Sequence, residues 1–251
     1  MELLFISAFA VGISTIIGAL IGLLFKNVSQ YINDCITGFA AGVMLSAAII
    51  GLIIPSTSYV EKHEIYLIVI GVLLGAFTLT LIDKLTPHLH NLTGLKEEKH
   101  ESKQALDKIL LFIIAIAIHN FPEGIAAGIG FGGNDINSAI MVAIGITIQN
   151  IPEGMIVITP LLINGVSKKK AFIIASVTAI VEVIGTFVGF YLTSLASVVL
   201  PFFLAFAGGT MLYVISDEMI PQSHSNGNER AATYSLIIGF ILLVVIDFLL
   251  V

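Results

Sequence analysis

Ala117-Ile118-His119-Asn120-Phe121-Pro122-Glu123-Gly124 is followed thirty residues later by Thr147-Ile148-Gln149-Asn150-Ile151-Pro152-Glu153-Gly154. Asn, Pro, Glu and Gly recur in register. Both copies lie in apolar runs long enough to cross a bilayer, and consecutive crossing helices run antiparallel. A motif repeated on antiparallel neighbours implies a pseudo-two-fold axis in the membrane plane, with a polar site near the midplane. Within each copy the spacing has a further consequence. His119 and Glu123 are four residues apart and share a helix face, as do Gln149 and Glu153. Pro122 and Pro152 carry no N–H, so the carbonyls of Ile118 and Ile148 lose their helical donors and both helices are expected to kink.

The surrounding composition supports the membrane reading. Of 251 residues, 57% are hydrophobic and 11% charged, against about 25% charged in a typical soluble domain; mean hydropathy is +1.04. A span needs roughly 20 mainly apolar residues. Eight are expected, at about 3–25, 34–54, 65–82, 108–131, 138–163, 170–194, 198–216 and 232–251, giving an all-α polytopic membrane protein in a single domain over 1–251. Met1-Glu2-Leu3 lacks a basic start, so the first run reads as a transmembrane helix rather than a cleaved signal peptide. Gly18-x-x-x-Gly22 and Gly185-x-x-x-Gly189 permit close helix contact in lipid. The one cysteine, Cys35, excludes an intrachain disulfide.

Ten of the eleven Lys and Arg residues fall on alternate connections, at Lys26, at Lys84 to Lys108, at Lys168 to Lys170 and at Arg230, leaving only Lys62 on the other side. Basic connections stay in the cytoplasm, so both termini are expected outside. The cytoplasmic connection of about 83–107 holds His88, His90 and His100. It reads as a solvated linker, with weak metal capture as the functional alternative.

A third acid lies at depth, Glu182 in the sixth span, and no Lys or Arg stands mid-span to pair with Glu123, Glu153 or Glu182. A lone charge at the bilayer centre costs roughly 2.5–3.5 kcal/mol on insertion scales. The three are therefore either protonated or neutralised by a cation. Three carboxylates with one imidazole and several amides suit divalent metal, with ligand enough for two ions. For Asn120 and Asn150, helix–helix hydrogen bonding is the structural alternative. Met44 and Ser46 are candidates for lining the path or for packing. Asp217, Glu218 and His224 close the seventh span, and Glu61, His63 and Glu64 read as the polar cap of an outside connection.

The duplicated motif on the fourth and fifth of eight spans resembles the ZIP (Zrt-, Irt-like) family of metal transporters. Gly38-Phe39-Ala40-Ala41-Gly42-Val43-Met44-Leu45, followed by Leu52-Ile53-Ile54-Pro55, is similar to its prokaryotic GufA-like branch. The resemblance implies an eight-helix bundle in a bacterial or archaeal cell membrane, carrying divalent metal, chiefly zinc, into the cytoplasm. It further implies a binuclear centre, with one ion among His119, Glu123, Gln149 and Glu153. The second ion would lie among Asn120, Glu123, Asn150, Glu153 and Glu182, with shared glutamates bridging. Many members have a second His where this chain has Gln149, and some have Asp where it has Asn150. The resulting oxygen-rich set also suits harder ions such as manganese and ferrous iron, and cadmium is a further candidate.

No catalytic cofactor is expected; the metal is the transported substrate. Expected partners are divalent ions and the lipid bilayer, with a homodimer as a candidate assembly and no nucleic acid. Two competing functions use the same residues. An intramembrane metalloenzyme would activate water on the metal, but the chain has no His-Glu-x-x-His and no spare general base. A proton-coupled carrier of small organic cations would use the glutamates without metal.

Overall fold

The computed structural model describes residues 1–24, 29–85, 120–133, 136–163, 166–195 and 199–250. Among these residues the chain is helical, with no strand. The helices are α1 (Glu2–Leu24), α2 (Gln30–Ser46), α3 (Ile65–Leu85), α4 (120–129), α5 (Ile136–Ile163), α6 (Lys168–Leu195), α7 (Leu200–Val214) and α8 (Glu229–Leu250). Seven are long and apolar enough to cross a membrane. The exception is α4, described only from residue 120. The 83–107 connection lies almost wholly outside the described residues, and its three histidines entirely so.

Two spans are longer than their apolar stretches suggest. α2 continues through a π-helical segment, Ala47–Ile53, and a turn, Ile54–Ser56; α7 continues through π-helical Ile215–Met219 and Ile220–His224. Hydropathy marks only the part facing apolar surroundings, whereas the backbone stays helical past it because helix satisfies its own polar groups. Each π-helical segment leads into an Ile-Pro pair, Ile54-Pro55 and Ile220-Pro221. A proline ring collides with the carbonyl four residues back in a regular α-helix, and the wider turn relieves that collision. Across Pro152, by contrast, α5 is one continuous α-helix.

Lipid offers no hydrophobic drive for helix pairing, so close packing of small residues must supply it. Glycines do so here in four pairs. A β-carbon on Gly18 of α1 would lie 2.1 Å from the Ile151 carbonyl oxygen of α5, and one on Gly154 would lie 2.2 Å from that of Thr15. Gly185 of α6 is pressed against the Phe121 carbonyl of α4 in the same way, and Gly124 against that of Glu182. Gly42 of α2 meets the Leu236 carbonyl of α8, and Gly239 meets that of Phe39. Gly209 of α7 meets the Val72 carbonyl of α3, and Gly75 meets that of Phe206.

These contacts recur at constant offsets. Each α6 or α7 residue stands 167 positions after its counterpart in α1 or α2. Each α5 residue stands 30 after its counterpart in α4, and each α8 residue 164 after its counterpart in α3.

α2 and α7 are the most enclosed spans and α8 the least. The core between α2, α5 and α7 is built from Met44, Ala47, Ala48, Leu52, Met141, Ile146, Leu204 and Met211. Leu73, Phe77, Ile180, Ile184, Ile238 and Ile241 face outward, as lipid contact requires. At the end of the bundle where α2 begins, buried Asp34 accepts hydrogen bonds from Gln30, Asn226 and Asn228 at 3.0, 3.1 and 2.8 Å. It ties the start of α2 to the turn before α8. In the connection between α2 and α3, Glu61 and Glu64 form a reciprocal capping box, and His63 Nδ1 lies 3.4 Å from Glu61 Oε2. That is the polar cap expected there.

Gly42→Val puts side-chain atoms where the Leu236 carbonyl now lies, 1.9 Å from any added β-carbon. It should destabilise the detergent-purified protein by about 1–3 kcal/mol, read as a lower Tm. Gly227→Asn, at φ 84° with open space around it, should change Tm far less, since Asn tolerates left-handed backbone. Equal losses would mean that the α2–α8 approach is not tight.

Candidate metal centre

The polar side chains named from the duplicated motif converge where α1, α4, α5 and α6 meet. Helix periodicity sends the motif positions inward from α4 and α5, and the α4–α6 glycine contact brings Glu182 level with them. Asn120, Glu123, Gln149, Asn150 and Glu182 are each 3% exposed or less; Glu153 is half-buried. His119 falls outside the described residues.

A chain of hydrogen bonds links five of these side chains. Gln149 Nε2 donates to Glu123 Oε2 and, at 2.7 Å, to Asn150 Oδ1. Asn150 Nδ2 donates to Glu182 Oε1 and to the Val11 carbonyl, the latter at 3.2 Å. Glu182 also accepts from Asn120, and its Oε2 accepts from Thr15 Oγ1 at 3.0 Å. Glu153 is near enough to act electrostatically on both Glu123 and Glu182. Carboxamide N–H groups thus hold the carboxylates in place from two sides.

The amide N–H groups of Gln149 and Asn150 are engaged. Gln149 Oε1 is fully buried and has no hydrogen-bond partner among the described residues, although a buried carbonyl oxygen left unsatisfied costs roughly 1–3 kcal/mol. The Ser46 hydroxyl on α2 is likewise without a partner there, its donor and acceptor both unused. Met44, weighed alongside Ser46 as a path residue, packs in the apolar core. Among the described residues no three His, Cys, Asp or Glu side chains form a metal-ligand cluster by themselves. The arrangement instead alternates carboxylates with amides. Its unsatisfied capacity is for accepting positive charge.

Sequence reasoning overlooked α1. Val11 and Thr15, one turn apart on that helix, contact Asn150 and Glu182. The signal was present in Thr15-Ile16-Ile17-Gly18-Ala19-Leu20-Ile21-Gly22, which matches Glu182-Val183-Ile184-Gly185-Thr186-Phe187-Val188-Gly189 at Ile and both Gly. A hydroxyl on an apolar helix gave no reason to make that comparison. His224, at the end of α7, is engaged locally. Its Nδ1 lies 2.8 Å from the Ile220 carbonyl and its Nε2 2.9 Å from Thr233 Oγ1.

A family model described as ZIP Zinc transporter matches residues 91–247. The chain is 39% identical over 248 residues to Zinc transporter GufA of Myxococcus xanthus, covering 96% of each protein. It is 32% identical over 252 residues to Zinc transporter ZIPB of Bordetella bronchiseptica, covering 93% of this chain and 77% of that one. To Zinc transporter ZupT of Chlorobaculum parvum it is 34% identical, covering 93% and 92%.

The Asn150–Glu182 bond joins α5 to α6 and can be measured. A double-mutant cycle of Asn150→Ala and Glu182→Ala, read by unfolding of the purified protein, should give a coupling on the order of 0.6 kcal/mol or more. Strictly additive losses would remove the bond from the folded protein in solution.

Proposed function

The chain belongs to the ZIP family of zinc transporters, a family of membrane carriers and not of enzymes, and from that premise we propose that it carries divalent metal, chiefly zinc, into the cytoplasm. The observation that carries the reading is Gln149 Oε1. It is buried and unpartnered, on a side chain whose other end is bonded to the Glu123 carboxylate. A divalent cation satisfies an amide oxygen and a carboxylate at once, and neutralises acids in spans where no Lys or Arg stands mid-span.

In this proposal one ion is held by His119, Glu123, Gln149 and Glu153. A second is held by Asn120, Glu123, Asn150, Glu153 and Glu182, with Glu123 and Glu153 bridging. The metal is cargo, so each ligand set must bind it and also release it. Amide oxygens serve that purpose, being weaker ligands than imidazole or thiolate. Their hardness also leaves room for manganese and ferrous iron beside zinc; cadmium, a softer ion, is a candidate only as a size and charge relative of these.

We further propose that 1–251 is one transport unit with inverted-repeat architecture. The constant offsets between matched glycine contacts support it, since α1 and α2 then correspond to α6 and α7, α3 to α8, and α4 to α5. Consecutive spans alternate in direction, so each pair of counterparts is antiparallel, the arrangement of transporters with inverted repeats about a midplane site. Pro122 and Pro152 stand at matching places, each freeing a carbonyl near the ions. The alternate basic connections place both termini outside, and the bacterial relatives support a prokaryotic cell membrane as the setting.

Zinc at about 100 times its Kd should stabilise the wild-type protein by about 2.7 kcal/mol, because ligand binds the folded state. Thermal unfolding in detergent with and without zinc measures this. Glu123→Ala should lose the shift, and its uptake into proteoliposomes should fall to background. A wild type without a zinc shift, or a mutant that shifts as far, would remove Glu123 from the ligand set.

Gln149→His adds an imidazole beside His119. Competitive uptake from equimolar zinc and manganese should then favour zinc more strongly than in the wild type, because nitrogen ligands suit zinc. An unchanged ratio would take Gln149 away from the ions.

A further inference from the structure

Thr15 and Glu182 are joined across the bundle in an unusual way. The glycine contacts pair α1 with α6 at an offset of 167, and this offset makes Thr15 the counterpart of Glu182. The correspondence is direct: an added β-carbon on Gly154 would strike the Thr15 carbonyl, and one on Gly124 the Glu182 carbonyl. The two counterparts also bond to each other, Thr15 Oγ1 to Glu182 Oε2 at 3.0 Å. In the inverted repeat proposed above, the axis relating the halves passes between these two side chains. On one side of it stands a carboxylate, on the other a hydroxyl.

Both side chains are buried, Thr15 at 1% and Glu182 at 0% exposure. Oε1 of Glu182 accepts from Asn150 and Oε2 from Thr15, so the carboxylate plane is fixed from two helices. One turn away, the Val11 carbonyl accepts from the other side of the bundle, holding the Asn150 amide group. Glu182 and Asn150 are thus oriented by α1, a helix with no acid or imidazole of its own at that depth.

We propose that Thr15 is a positioning residue of the transport site, aiming the Glu182 carboxylate at the cation while supplying no charge where the repeat would otherwise place a second carboxylate. This rests on the metal-site reading above. A second acid beside Glu182, with no basic group to offset it, would repel Glu182 whenever the cation leaves. A hydroxyl keeps a hydrogen bond to the carboxylate in both the loaded and the empty state.

The test is zinc titration of the full-length protein in detergent, for the wild type, Thr15→Val and Thr15→Ser, with metal-free Tm measured alongside. Partners that orient a metal ligand typically contribute 10–100-fold to affinity. Thr15→Val keeps the shape and loses the hydroxyl; its zinc Kd should rise about tenfold or more. Thr15→Ser restores the hydroxyl and should bring Kd most of the way back, although it loses the methyl group. In proteoliposomes the half-saturating zinc concentration should rise in Thr15→Val more than maximal rate falls. Zinc affinity in Thr15→Val equal to the wild type would overturn the proposal. So would Thr15→Ser binding as weakly as Thr15→Val, since the defect would then be one of packing. A wild type that binds no zinc would instead overturn the metal-site reading itself, and this inference with it.

Discussion

Two carboxylates fully buried in an apolar bundle, Glu123 and Glu182, with a third, Glu153, half-buried beside them, are the constraint on which the rest of the structure depends. Charge at that depth is costly, and an amide or hydroxyl offers only partial compensation. The protein surrounds Glu123 and Glu182 with Gln149, Asn150, Asn120 and Thr15. Each of these groups can donate to a carboxylate, and each also keeps an oxygen lone pair that a cation can use. In the proposed site such a shell serves the empty state and the loaded state alike. A lysine would pair the acids more strongly and leave no place for the proposed cation.

That shell can form only if four helices approach closely at one level. The approach is supplied by glycine, whose missing side chain lets the backbone of one helix rest on a carbonyl of the next. Gly18 and Gly154 join α1 to α5, and Gly124 and Gly185 join α4 to α6. The same residues that pack the bundle therefore set the depth at which the polar groups meet. Further out, the pairs α2–α8 and α3–α7 repeat the device, while broad apolar faces are left to lipid.

The π-helical segments of α2 and α7 have a related cause. Each precedes a proline, and each widens the helix where a regular turn would collide with the ring. Proline in the fifth span is handled differently, for α5 passes Pro152 without leaving the α-helix. The residue type is the same, and the outcome depends on what packs around it.

Much of this was legible in the chain itself. Composition and hydropathy determine a membrane-crossing helical protein, because continuous apolar runs of about 20 residues cross lipid as helices that satisfy their own backbone polar groups. The duplicated Asn-x-Pro-Glu-Gly, together with Glu182, identifies the buried polar residues that the structure brings together, and acids are costly in such surroundings. The longer reach of α2 and α7 was not visible, because hydropathy registers surroundings and not backbone geometry. Nor was the part played by Val11 and Thr15. A carbonyl and a hydroxyl on an apolar helix are ordinary until another helix brings Asn150 and Glu182 against them. Which side chains share a helix face follows from periodicity along the chain. Which faces meet, and which oxygen among them is left without a donor, is decided only when glycine contacts far apart in sequence close the bundle.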